Sequence, residues 1–153
     1  MLSAEAFGVL SYFLFTWFTR DINPLVPFRE PKKGLKVDIF IPTYNEDLDI
    51  VEATVIGCCK VAYPHTTYVL DDGDRPQVRE MARQYGCEYI ARPVHKHAKA
   101  GNINYALERS WGEFIVMLDA DMVPQPGYLD RTLGYFEDEK LTLIQLPQEF
   151  YNQ

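Results

Sequence analysis

The chain has 153 residues, 15 basic against 22 acidic, for a net charge of −7. A chain of this size suits one domain and buries about 68–70% of its unfolded surface, and 47% hydrophobic and 14% aromatic residues argue against disorder. The acidic balance argues against nucleic acid as a partner, while three cysteines (Cys58, Cys59 and Cys87) are too sparse and odd a set for a disulfide scaffold and point to a reducing compartment.

Residues 2–18, LSAEAFGVLSYFLFTWF, carry Glu5 as their one charge. A spanning helix takes about 17–25 such residues, so residues 1–19 are expected to form a membrane or membrane-interface helix. The alternative is a helix buried in a core or lying on the surface. Trp17, Phe18 and Arg20 read as an interfacial belt, and Lys32 and Lys33 put the following side in the cytoplasm. No basic stretch precedes the run and no small-residue cleavage site follows it, so it is not a secretory signal. Residues 20–36, with Pro24, Pro27 and Pro31, read as a linker.

From Val37 the pattern alternates between strand and helix. Strands are expected at 37–41, 67–70, 88–91, 114–118 and 141–146, where short apolar, β-branched runs end at turn residues. Helices are expected at 49–61 with Asp47 or Asp49 as cap, at 76–85 with Pro76 in the first turn, at 98–111 and at 126–137. This order implies an α/β sandwich with a mainly parallel sheet over residues 37–153.

In such a sheet ligands bind beyond the carboxyl ends of the strands. The first strand is followed by Pro42-Thr43-Tyr44-Asn45-Glu46, the second by Asp71-Asp72-Gly73, and the fourth by Asp119-Ala120-Asp121. Aspartates gathered at one rim repel unless a cation or strong donors neutralise them. Asp119 and Asp121, two apart at a strand end, suit Mg²⁺ or Mn²⁺, which take one or two carboxylates and complete their shell with phosphate oxygens and water. Asp71 and Asp72 are acceptors for a base N–H or ribose hydroxyls, or simply turn residues. Tyr44 offers a face for a base to stack on, and Glu46 an acceptor for that base. Lys99, in the basic run His95-Lys96-His97-Ala98-Lys99-Ala100-Gly101-Asn102, suits a diphosphate, helped by N–H groups at a helix start. The glycine fingerprints of dinucleotide and P-loop sites are absent, as is the GxSxG of α/β-hydrolases.

These four motifs in this order resemble the family-two, inverting glycosyltransferases of GT-A fold, and within them the processive bacterial cellulose synthase catalytic subunits. The resemblance implies a GT-A, Rossmann-like nucleotide-diphospho-sugar transferase fold preceded by a membrane helix, with 37–153 as the donor-binding half. Thr43, Tyr44 and Glu46 would then meet the uracil and Asp71 and Asp72 the uridine. Lys99 would bind the diphosphate, Asp119 the ribose and the metal, and Asp121 the metal most directly. The implied partners are a UDP-sugar (UDP-glucose by preference), a polysaccharide acceptor, a lipid membrane and further synthase subunits. The implied location is the inner (plasma) membrane, with the domain on the cytoplasmic side. The family's Gln-Thr-Pro segment reads Gln145-Leu146-Pro147 here. Its catalytic-base carboxylate and Gln-x-x-Arg-Trp motif are expected beyond Gln153, so no residue of this chain is assigned as base. A non-catalytic nucleotide- or metal-binding regulatory module is the alternative, and a phosphoacceptor receiver domain leaves the Tyr44 and Lys99 elements unexplained.

Overall fold

The computed structural model describes residues 2–19 and 27–149. The N-terminal apolar run forms a helix, α1 (Leu2–Thr19). Its side chains from Glu5 to Phe18 are all exposed, with Phe7, Phe13, Phe15, Trp17 and Phe18 among them. The segment is not buried against the other described residues. At a rise of about 1.5 Å per residue, the 18 residues extend about 27 Å, slightly less than the ~30 Å hydrocarbon core of a bilayer. Among the described residues no helix is long and apolar enough to cross a membrane. The expected belt residue Arg20 and Pro24 of the linker lie outside the described residues.

The described part of the linker, residues 27–36, is docked on the domain. The Tyr63 hydroxyl donates to the Lys32 carbonyl (2.6 Å) and accepts from the Leu35 N–H (3.1 Å). The Arg29 backbone lies so close to Gly134 that any side chain there would collide with it.

Beyond it come β1 (Val37–Thr43), α2 (Leu48–Cys59), β2 (Thr66–Asp71), α3 (Pro76–Gln84), β3 (Glu88–Ile90), α4 (Ala98–Leu107), β4 (Phe114–Met117) and α5 (Tyr128–Thr132). The four strands pair in parallel in the order β3-β2-β1-β4. β1 is buried along its whole length, as a central strand covered on both faces must be. Its alternation sorts two packing faces. Val37, Ile39 and Ile41 pack with Val51, Val55 and Val78 from α2 and α3, together with Leu129 and Leu133. Phe40 faces the other way, with Tyr68, Leu70 and Ala106, where α4 covers the sheet.

Three expectations are corrected. The strand expected at 141–146 does not form: residues 141–149 have no regular structure, and Leu143 and Leu146 are exposed. A strand exists through its ladder, and β4 pairs only with β1 among the described residues. The helix expected at 126–137 is α-helical only over α5 and tightens into a 3-10 turn at Leu133–Glu137. Gly134, a weak helix former held against the Arg29 carbonyl, sits within that turn. The helix expected at 98–111 ends at Leu107, and the N–H groups of Trp111 and Gly112 bond instead to the buried Asp38 carboxylate at 3.0 and 2.7 Å.

Candidate functional site

Chain order and strand order part company at β1: β2 and β3 lie on one side of it, β4 on the other. The crevice at such a switch point, past the carboxyl ends of the strands, is the natural ligand position of an open parallel sheet. Here it is an open cleft of about 1460 Å³. The register brings the ends of β1 and β2 level, with Thr43 beside Asp71, and the Asp72 N–H donates to the Thr43 carbonyl at 2.8 Å.

The cleft gathers Thr43, Tyr44 and Glu46 from the β1 loop and Asp72 from the β2 loop. Lys99 reaches it from the first turn of α4, and Asp119 and Asp121 from the turn after β4. Of the residues singled out in the sequence, Asp71 alone does not line it. Asp71 is 0% exposed. Its carboxylate accepts from the Gly73 N–H (3.1 Å), the Arg75 N–H (2.6 Å), Arg75 Nε (3.1 Å) and the Tyr89 hydroxyl (3.0 Å). Four donors match the roughly four lone-pair sites of a carboxylate. It shapes the loop that presents Asp72.

Arg75 extends that network across the strand ends. Its Nη1 donates to the Glu46 carbonyl (2.6 Å) and its Nη2 to the Thr43 hydroxyl (2.8 Å). Thr43 is itself buried and donates to Glu46 Oε2 (2.7 Å), which also accepts from the Tyr44 N–H (2.8 Å). Burial pushes the Glu46 carboxyl up. The hydrogen bonds from the Tyr44 backbone, the Thr43 hydroxyl and the Glu46 and Asn45 backbone together outweigh it and hold the group below its ordinary value. The Tyr44 ring, by contrast, is 62% exposed on the cleft wall. Gly73 is required by close approach, since a Cβ there would lie 2.6 Å from the Tyr44 carbonyl oxygen.

Asp72 turns toward the cleft and pairs with Arg92, which is buried. Arg92 Nε and Nη2 grip the two carboxylate oxygens at 2.5 and 2.6 Å, and His95 Nδ1 lies 2.9 Å from Oδ1. The Arg92 hydrogen bonds hold the Asp72 carboxyl below its ordinary value, against the opposing effect of burial and with further help from His95.

The β4 side is less committed. Thr54 of α2 anchors its turn by donating to the Ala120 carbonyl at 2.6 Å. Gly57 lets the following segment pack close, since a Cβ there would meet Val123 at 2.7 Å. Lys99 Nζ and Asp119 Oδ1 form an exposed ion pair. Asp121 is exposed and has no ion pair or side-chain hydrogen bond among the described residues. Asn102 lies one helical turn beyond Lys99. Its amide donates to the Leu70 carbonyl (2.8 Å), leaving Oδ1 buried without a partner at the cleft floor.

Residues 38–153 match the family described as glycosyl transferase family 2. The chain belongs to that family. It is 41% identical over 161 aligned residues to cellulose synthase 1 of Komagataeibacter xylinus, covering 99% of this chain and 10% of that protein. It is 39% identical to the UDP-forming cellulose synthase 1 catalytic subunit of the same organism, covering 99% of this chain and 21% of that one. The chain thus spans about a tenth to a fifth of the length of these relatives. The fold is that of a mannosyltransferase from Pyrobaculum calidifontis solved with GDP-Man and Mn²⁺: TM-score 0.71 at 22% identity, over 90% of this chain and 42% of that one.

A divalent cation fits the donor set of this family-2 chain in one specific way. Among the described residues no group of three or more His, Cys, Asp or Glu could hold a metal by itself. Two hard carboxylates on one cleft, Asp121 free and Asp119 facing a lysine, make a partial shell of the kind that phosphate oxygens and water complete.

Sequence reasoning missed Arg75 and Arg92. Arg75 had a faint signal, four residues after Asp71 and inside a turn. Arg92 had none beyond its nearness to the basic run, because its carboxylate partner is 20 residues back in sequence and its other partners are backbone carbonyls, which any residue carries. Asn102 belonged to a motif but carried no role of its own.

Proposed function

We propose that this chain is the donor-binding part of a membrane-associated β-glycosyltransferase that transfers a sugar, glucose by preference, from a UDP-sugar to a growing polysaccharide with inversion. The observation that carries this reading is the convergence of four separate motifs on one cleft at the switch point of a parallel sheet. The likeness to UDP-forming cellulose synthases supports the donor and the product class.

The Tyr44 ring stacks on the uracil, and Glu46 and Asp72, both held ionised, accept from base and ribose. Asp71 acts indirectly, by shaping the Asp72 loop. Lys99 leaves Asp119 for the diphosphate, assisted by the free N–H groups at the start of α4. That exchange frees the Asp119 carboxylate to join Asp121 as a ligand of Mg²⁺ or Mn²⁺ and to reach the ribose. The bound cation supplies electrostatic stabilisation of the charge that develops on the departing UDP. The acceptor oxygen displaces UDP from the anomeric carbon in a single step, which inverts that centre, as a carboxylate base to which no residue of this chain is assigned takes the hydroxyl proton.

Calorimetry with UDP and Mn²⁺ tests the donor site. Saturable binding that depends on Mn²⁺ is expected, with that dependence lost in Asp121→Ala while stability changes by less than about 0.5 kcal/mol. No binding by the folded chain, or equal binding by the variant, overturns the assignment. For the membrane, the support is α1, whose exposed aromatics and aliphatics run right round the helix with only Glu5 charged. Co-flotation with lipid vesicles is expected for the whole chain and not for one beginning at Pro27. Equal flotation of the two removes α1 as the contact.

A further inference from the structure

The two halves of the cleft meet at one buried side chain. Arg92 stands just past the end of β3, where its guanidinium has five N–H donors in a fixed fork. Two of them hold both oxygens of Asp72 on the β2 side. On the other side, Nη1 donates to the Lys96 carbonyl and Nη2 to the Ala98 carbonyl at 3.0 Å. The backbone between those carbonyls is unusual: His97 and Ala98 both have positive φ, 63° and 43°, although neither is glycine. Such a pair is held only where its surroundings over-determine it. Gly101 is part of that constraint, because a Cβ there would collide with both the Lys96 carbonyl and Arg92 Nη1. The segment so held ends in Lys99, the first cation of α4.

We propose that Arg92 is a positioning residue that couples nucleoside recognition through Asp72 to diphosphate recognition through Lys99. It touches neither part of the ligand. It fixes Asp72 as a charged acceptor and sets the 96–98 backbone so that Lys99 starts its helix facing the cleft. The inference rests on the UDP-sugar reading of the site. An ammonium cannot reproduce a fork that serves a carboxylate and two carbonyls at once, so lysine is not an adequate substitute.

Calorimetry with uridine and with UDP, each with Mn²⁺, separates the two halves. Lys99→Ala should lower UDP affinity about tenfold and leave uridine unchanged, as expected for loss of one charge-assisted contact. Asp72→Asn should lower the affinity for both ligands by a similar factor. Arg92→Lys should do both: weaken uridine and shrink the advantage of UDP over uridine. In the double variants, Arg92→Lys should add no further loss of that advantage on top of Lys99→Ala, and no further loss of uridine affinity on top of Asp72→Asn. A merely structural role would give additive losses. Should Arg92→Lys melt before binding is measured, Gly101→Ala perturbs the same clamp from the loop side. Because its Cβ also displaces Arg92, it should shrink the UDP advantage non-additively with Lys99→Ala and weaken uridine non-additively with Asp72→Asn. Additive cycles, or wild-type binding by Arg92→Lys, overturn the coupling. A wild-type chain that binds neither ligand instead overturns the donor-site reading beneath it.

Discussion

The two sides of the cleft are built on opposite plans. On the β2 side every carboxylate is matched before a ligand arrives: Asp71 takes four donors, and Asp72 takes the Arg92 fork and His95. On the β4 side, among the described residues, Asp121 has no side-chain partner and Asp119 has only an exposed lysine. On the proposed reading the first side would recognise a neutral nucleoside, which needs fixed acceptors and brings no charge to settle them. The second would meet a diphosphate and a cation, which bring their own charges, so a committed network there would have to be broken on binding.

The largest effect should come from breaking the committed side at its centre. Asp71→Ala leaves the Tyr89 hydroxyl and the Arg75 guanidinium without their buried acceptor. It should cost about 3–5 kcal/mol in urea unfolding, as losing one partner of a buried pair does. A loss below about 1 kcal/mol would mean that the network is not holding the loop. Next comes the exposed wall. Tyr44→Ala should weaken UDP binding by about 1–3 kcal/mol, the usual range for one base–aromatic stack, with no change in the melting temperature. Undiminished UDP affinity would remove Tyr44 from the base site.

The smallest effect is in pH. The folded Asp72 value is depressed by Arg92, so the stability this carboxylate lends is complete above its ordinary value of 3.8. It is lost only as pH falls through the depressed value. Acid unfolding of Asp72→Asn should therefore lack that increment of steepness below the ordinary value. An acid limb identical to wild type would show that the pair contributes nothing.

How much of this was legible in the sequence depends on the range of the interaction. The four strands, the helix at Pro76 and the residues after each strand were readable because β-branched runs, proline and Asp-Gly turns act locally. The strand at 141–146 was misread for the converse reason. Its apolar residues satisfy a local pattern, yet no described strand pairs with them. Asp71 and Asp72 looked equivalent as neighbours in one turn. Strand alternation sets the Asp71 carboxylate into the core and turns the Asp72 carboxylate to the cleft.

Motif order and spacing alone determined the family, the parallel sheet and the rim on which Tyr44, Glu46, Asp72, Lys99, Asp119 and Asp121 would meet. These follow from local propensity and from the rule that parallel strands present their carboxyl ends on one edge. Only the tertiary structure decided which of those residues are free and which are spent. It set the Asp71 carboxylate among four internal donors, and it brought in Arg75 and Arg92, whose partners lie up to 32 residues away in the chain. A guanidinium that bridges a distant strand end to backbone carbonyls leaves little mark in a one-dimensional pattern, because its role is fixed by packing and not by spacing.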